Sequence, residues 1–241
     1  GVTFDSNLNN LVNLNFIPKL EKLKSILRIW SMRDMTPIGR ITIVKSLGLS
    51  QLIYLFSVLP KPDDDFLKDL ETVLYKFIWS NKPDKVSRKT LVGNYENGGL
   101  KMVHIPSMIK GLKIAWVKRL LNMNNRGNWK YFYEHELDKL GGNLLWHCNI
   151  NPADNCLKVI KNNFISEVVT SWFNIVHTNG VQNYRQQILW NNSSIRIDNH
   201  VVFWKDWYNN GVKYFGDILS ENGSVLNVSQ LKKKSIWRLI T

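Results

Sequence analysis

Apolar residues recur at helical spacing near the start of the chain. Leu20, Leu23, Ile26, Leu27 and Trp30 share one face, and Glu21, Lys24 and Arg28 share the opposite one. An amphipathic helix buries a stripe of that period, so the pattern predicts a helix over about residues 16–31. Thr36 followed by Pro37 is a helix-start signal, a hydroxyl for the N-cap and a proline where the missing N–H does no harm. The helix it opens is expected to turn Ile38, Ile41, Val44 and Leu47 inward, and Gly48 or Ser50 to break or bend it before the Leu52-Ile53-Tyr54-Leu55-Phe56 continuation. In Pro62-Asp63-Asp64-Asp65, carboxylates meet the positive end of a third helix. Its predicted inner face is Phe66, Leu67, Leu70, Val73, Leu74, Phe77 and Ile78, with an end near Trp79.

The helical period fails between 82 and 103. There Asn97-Gly98-Gly99, between Leu91-Val92 and Leu100 to Val103, is a strong turn signal, so the stretch is expected to be irregular or a small hairpin. Ser107 is placed to cap a fourth helix through Leu112, Trp116, Leu120 and Leu121. The polar stretch Asn124-Asn125-Arg126-Gly127-Asn128 then breaks the composition, dividing the chain into regions 1–125 and 126–241. Shorter helical pieces follow, Trp129 to Leu140 and Phe164 to Val176. A stretch from Trp190 to Gly223, dense in Asn, Trp and Gly, holds short apolar runs suited to small strands. The expected fold class is mainly α: a helical bundle with a small hairpin, then a mixed, mostly helical region.

Composition adds a partner class to this picture. The chain has 241 residues, 44% of them hydrophobic, enough for one substantial core or two small ones, and a net charge of +13 with a pI near 9.7. Such a charge attracts polyanions, either nucleic acid or an anionic membrane surface, unless it is only a solvated face. The basic excess sits mainly in the first half. Lys19, Lys22, Lys24, Arg28, Arg33, Arg40 and Lys45 face only Glu21 and Asp34 over residues 16–45, and the basic residues of 82–119 face only Asp84 and Glu96. No run approaches the ~20 apolar residues of a membrane span, since Ile41 to Leu59 is interrupted by Lys45, Ser46, Ser50, Gln51 and Ser57. The opening Gly1-Val-Thr-Phe-Asp5 has no basic n-region and is not expected to be a signal peptide. Cys148 and Cys156 make no disulfide framework, so a reducing, intracellular setting is the default and secretion is not expected.

Several chemistries find no support. Asp63, Asp64 and Asp65 invite a metal reading, but consecutive residues at a helix start point in different directions, and capping explains them. His147-Cys148 and Cys156 lack a fourth ligand at zinc-finger spacing, and the histidines at 104, 135, 147, 177 and 200 are scattered. No phosphate-binding glycine loop or nucleophilic triad stands out.

A more specific signal is the run Trp30-Ser-Met-Arg33-Asp-Met-Thr36-Pro37-Ile-Gly39-Arg40-Ile-Thr-Ile-Val44-Lys45-Ser-Leu47, followed by Tyr54 and Leu59-Pro60. It resembles the region just after the palm in the reverse transcriptases of LINE-type (non-LTR) retrotransposons, where the thumb opens. Later landmarks keep the family's order: Phe77-Ile78-Trp79, Gly98-Gly99-Leu100, Ala115-Trp116-Val117-Lys118-Arg119-Leu120, and then Leu189-Trp190-x-Asn192, Trp207, Gly211 and Asp217-Ile218, which look like the linker after the thumb. Gly1 to Phe4 resembles the end of the palm's last strand. The family's catalytic Tyr-x-Asp-Asp is absent from this sequence.

The resemblance implies a non-catalytic fragment of an RNA-directed DNA polymerase, thumb over 1–125 and linker over 126–241. Its expected partners are the RNA template, the DNA strand, and the palm and fingers of the same polyprotein, with no membrane and no small-molecule substrate. No cofactor is expected in this chain, because Mg²⁺ would sit in the missing palm. The implied setting is a cytoplasmic and nuclear ribonucleoprotein. A thumb holds a duplex of changing sequence, so its contacts should go to phosphates. The residues expected to make them are Lys24, Arg28, Arg33, Arg40, Lys45, Lys110 and Lys113. Blander roles stand beside these: Arg40 paired with Asp34 or capping carbonyls, Lys24 and Arg28 as ordinary exposed residues, Trp30, Trp79 and Trp116 as packing. Two rival readings of the whole chain remain, a helical protein-interaction or vestigial module and, less favoured, a peripheral membrane binder.

Overall fold

A computed structural model describes residues 1–7, 10–122, 124, 127–176 and 184–233. Asn125 and Arg126 of the polar break, and His177, lie outside the described residues. The chain is mainly helical and forms two compact units, 1–113 and 114–241. The division falls within a helix rather than at the polar break. That helix contributes Ile105 and Ile109 to one core and Val117 to the other, and burial, not composition, sets the boundary.

In the first unit, α1 (Leu11–Ser31) begins earlier than the periodicity predicts and carries Pro18 within it. α2 (Pro37–Ile43) starts as read, with the Thr36 hydroxyl accepting from the Gly39 N–H. A π-helical turn, Val44–Gly48, then joins it to α3 (Ser50–Val58), and the pair bends by 49°. Of the expected face, Ile41 and Val44 are buried, whereas Ile38, ahead of the turn, and Leu47, within it, are 53% and 38% exposed. One extra residue in the turn rotates the helix beyond it, which moves Leu47 off the buried stripe.

α4 (Asp64–Ile78) is capped by the Asp63 carboxylate, which accepts from the Phe66 N–H at 2.8 Å. It lays Phe66, Leu70, Leu74, Phe77 and Ile78 against Leu23, Leu27, Leu52 and Leu55. Each leucine of this kind contributes about 1.5–3 kcal/mol when removed from water.

Over 82–103, expected to be irregular or hairpin-like, the chain forms α5 (Arg88–Val92), a 3₁₀ turn at Tyr95–Asn97, and a looped return in which Leu100 and Met102 N–H groups both donate to the Leu91 carbonyl. Ser87 accepts from Thr90 N–H and starts a short helix not anticipated from the sequence. The turn glycines are required. Gly98 has φ +72°, and a Cβ on Gly99 would lie 2.1 Å from the Gly93 carbonyl oxygen. α6 (Ile105–Leu121) begins two residues before Ser107, whose hydroxyl instead sits 2.7 Å from His104 Nδ1.

The second unit has α7 (Trp129–Leu137), α8 (Asn163–Val176) and several 3₁₀ segments. Its antiparallel pair, β1 (Arg196–Ile197) with β2 (His200–Val201), falls in the Asn- and Trp-rich stretch where small strands were read. Short helices α9 (Lys205–Asn209) and α10 (Val228–Lys233) come after it. The Trp190 ring, fully buried, donates from Nε1 to the Val212 carbonyl at 2.6 Å and meets Trp204 and Trp207 at 6.0 and 6.5 Å. Asn191 donates to the Leu140 carbonyl and Asn192 to the Ile188 carbonyl. No single helix among the described residues is long and apolar enough to cross a membrane. The bent α2–α3 pair comes nearest by length and composition, but its Ile41, Val44, Leu52, Leu55 and Phe56 are core residues.

Candidate nucleic-acid interface

α1 and α4 lie against each other in the first unit, and their ridges leave a cleft of about 240 Å³. Lys24, Leu27, Arg28 and Ser31 line it from α1, three and four residues apart on one edge of the buried stripe. Val73, Lys76 and Phe77 do the same from α4, followed by Ser80 and Asn81. Ser80 and Asn81 have φ +55° and +61°, so the chain turns back sharply where α4 ends. Arg40 lines the cleft from α2.

Among the described residues, four cationic side chains and no carboxylate line this cleft. Glu21 pairs with Lys24 at 2.7 Å from outside, between partly exposed groups, and contributes little against ligand charge. Arg28 and Lys76 make no ion pair among the described residues. Both stand in the last turn of their helix, where a cation also complements the helix dipole. The dipole does not cancel the charge, since two helix C-termini supply roughly −0.5 each.

Arg40 is 6% exposed. Its Nη1 donates to the Phe77 carbonyl at 3.0 Å, and the guanidinium lies over the Phe77 ring at 5.1 Å. It adds a second donor to a carbonyl that also accepts from the Ser80 N–H where α4 ends, and Asp34 takes no part. Arg40 therefore fixes the cleft wall as well as adding charge to it.

The sequence-predicted set divides. Lys24, Arg28 and Arg40 come together in the cleft; Arg33, Lys45 and Lys110 do not line it. Arg33 is exposed and stacks its guanidinium on Trp30 at 4.5 Å. Lys45 is half-buried on the π-helical turn, and Lys110 is exposed on α6. Lys113 is a correction: 1% exposed, it donates from Nζ to the Leu59 carbonyl and is closed to any phosphate. α3 ends at Val58, and a buried carbonyl beyond a helix end needs a donor, which a long side chain on α6 supplies. Lys76, Ser80 and Asn81 were missed. The spacing Val73, Lys76, Phe77, Ser80 was legible, but nothing in sequence says that this edge of α4 faces Lys24 and Arg28.

Nucleophile and metal chemistry gain no support. Burial pushes the Cys148 thiol up, and burial followed by the Asp154 carboxylate pushes Cys156 up to about 12. Among the described residues no three His, Cys, Asp or Glu side chains gather to hold a metal. A comparison with models of known protein families finds none that matches the chain.

Proposed function

We propose that the chain is a nucleic-acid clamp, the thumb and following linker of a LINE-type reverse transcriptase, which grips template RNA with the growing DNA strand through phosphates. The observation that carries the clamp is the cleft in which Lys24, Arg28, Arg40 and Lys76 converge with no carboxylate among the described lining residues. Four cations on rigid helices suit a backbone of changing sequence, because they read charge and leave base edges alone. The parentage rests on the ordered sequence landmarks from Trp30 to Ile218. In this reading catalysis and Mg²⁺ belong to the palm, and palm, fingers, template and DNA strand are the partners.

Titrating the chain with an RNA–DNA duplex at several salt concentrations tests the clamp. Log affinity should fall against log salt with a slope of about −0.9 per phosphate engaged, with little dependence on base sequence. Lys76→Glu, a residue found from the cleft alone, should lower the slope by about one phosphate. A salt-independent interaction, or strong preference among duplex sequences, sinks the clamp. Primer extension by this chain alone would sink the parentage, since it lacks Tyr-x-Asp-Asp.

The interaction-module reading keeps one observation in its favour. Ile29, Met32, Ile38 and Tyr54 are each more than half exposed in the first unit. A chain that binds no duplex would leave these side chains as its functional surface.

A further inference from the structure

The second unit holds a cleft of different chemistry. About 480 Å³ in volume, it is lined by Asn143, Leu144 and His147 of the 3₁₀ segment Gly142–His147, by Gln186 and Ile188, and by Tyr208, Lys213 and Tyr214. Its polar members are two exposed amides, an imidazole, an ammonium and two phenol rings, with no carboxylate among the described lining residues. The side chains of Asn143, His147 and Gln186 make no hydrogen bond to another described residue, so their donors and acceptors face solvent.

The frame beneath them is rigid. Ile188 and Tyr214 form an antiparallel bridge, in which Leu189 N–H donates to the Lys213 carbonyl and Phe215 N–H to the Gln187 carbonyl. The Asp217 carboxylate accepts from both Lys213 and Tyr214 N–H at 2.8 Å. Lys213 and Tyr214 are thus held at the backbone while their side chains stay exposed. Lys213 Nζ lies 5.8 Å from the Tyr208 ring, whose other neighbour is Phe203 at 6.0 Å, and the Tyr214 ring is 45% exposed.

The geometry points to a seat for one unpaired nucleotide of a single strand. An open aromatic ring stacks on any base. Gln186 and Asn143 each bring a donor and an acceptor to a base edge. Lys213 supplies positive charge, and the His147 ring a hydrogen-bonding nitrogen, to the flanking phosphate. The volume falls within the roughly 300–1,000 Å³ of small-ligand sites. Because most of the polar lining residues are exposed, the cleft is open and a strand can enter and leave it, which favours a chain nucleotide over a free one. The clamp of the first unit uses phosphates alone; this site needs the base, and it stands even if that clamp binds nothing.

The test uses the full chain and end-labelled twelve-residue oligouridylate, against a twelve-residue strand of abasic units carrying the same charge, followed by anisotropy. The base-bearing strand should bind about tenfold tighter or more. Tyr214→Ala and Gln186→Ala should each shrink that ratio, Tyr214→Phe should keep it, and Lys213→Glu should weaken both strands. Gln186→Ala changes an exposed side chain and carries the test should the alanine at 214 not fold. Equal affinity for the two strands, or a ratio untouched by both alanines, overturns the proposal. Uridine monophosphate binding as tightly as the oligomer overturns the strand assignment. Lys24→Glu with Arg28→Glu should not shrink the ratio, because a clamp that reads only phosphates takes both strands alike, and this separates the site from the duplex clamp.

Discussion

The two units solve one problem, where to send buried backbone polar groups, in different ways. In the first, α1, α4 and α6 are long enough to bond most of their own N–H and C=O groups, and the core is built on leucines, Leu23, Leu52, Leu55, Leu70 and Leu74, with the Phe16 and Phe56 rings packed among them. In the second, helices are shorter and 3₁₀ turns frequent, so carbonyls are left at many ends. Side chains take them up: Trp190 serves Val212, Trp172 serves Trp146, Asn191 serves Leu140 and Asn192 serves Ile188. A density of Asn and Trp in a folded sequence therefore marks a core held by side-chain-to-backbone bonds rather than by long helices.

The largest expected effect comes from that contrast. Trp190→Ala removes a fully buried ring, about 3–5 kcal/mol, and orphans the Val212 carbonyl for about 1–3 kcal/mol more. Leu70→Ala, equally buried in the first unit, should cost about 2–5 kcal/mol with nothing orphaned. Urea unfolding followed by circular dichroism ranks the two, and a Trp190 variant no less stable than the Leu70 variant would break the comparison.

The same contrast explains how much was legible in the sequence. Helical stripes gave α1 to α4 and α6 because each of these helices buries one face, and that period survives without knowledge of neighbours. Leu47 was misread because a π-helical turn shifts the period without any residue that announces it, and Ile38, exposed in the first turn of α2, because the start of a short helix need not reach the core. Over 82–103, read as irregular or hairpin-like, α5 was not legible, because the Asn-Gly-Gly signal specifies a reversal and not the structure on either side. Cleft residues were half legible. Lys24 and Arg28 share an edge by spacing, but Lys76 joins them only through the packing of α4 on α1, and Lys113 leaves the set because its carbonyl partner is far away in sequence.

Lys110 and Lys113, one turn apart on α6, sharpen this point. Lys113→Ala should cost about 2–4 kcal/mol, as a cavity forms and the Leu59 carbonyl loses its ammonium donor. Lys110→Ala, at an exposed position, should stay within about 0.5 kcal/mol. Equal melting temperatures for the two variants would refute the burial of Lys113.

Even the first unit has one place where side-chain space is absent altogether. Gly99→Ala forces a Cβ against the Gly93 carbonyl, and the displacement should cost about 1–3 kcal/mol. Gly98→Ala meets no atom but must hold φ +72°, a cost of about 1 kcal/mol. Thermal unfolding of the pair should show the larger drop at 99; the reverse order would mean that conformation, not space, governs this turn.

The smallest stability effect belongs to the residues given the largest role in binding. Lys24→Glu with Arg28→Glu changes exposed side chains whose one ion pair among the described residues, Lys24 with Glu21, joins groups 43% and 62% exposed, so each should shift stability by no more than about 0.5 kcal/mol. Both reversals face the same cleft, however, and four cations there become two cations and two carboxylates, which turns attraction for phosphate into near balance. Arg40→Lys is the control within the cleft. It keeps the charge but loses the planar fork that reaches the Phe77 carbonyl, so it should lower stability by about 1 kcal/mol and spare most duplex affinity. Paired measurements of melting temperature and duplex binding at fixed salt separate these variants. If the double glutamate variant folds as well as the parent and binds duplex as tightly, the basic cleft is a solvated surface and the clamp does not operate there.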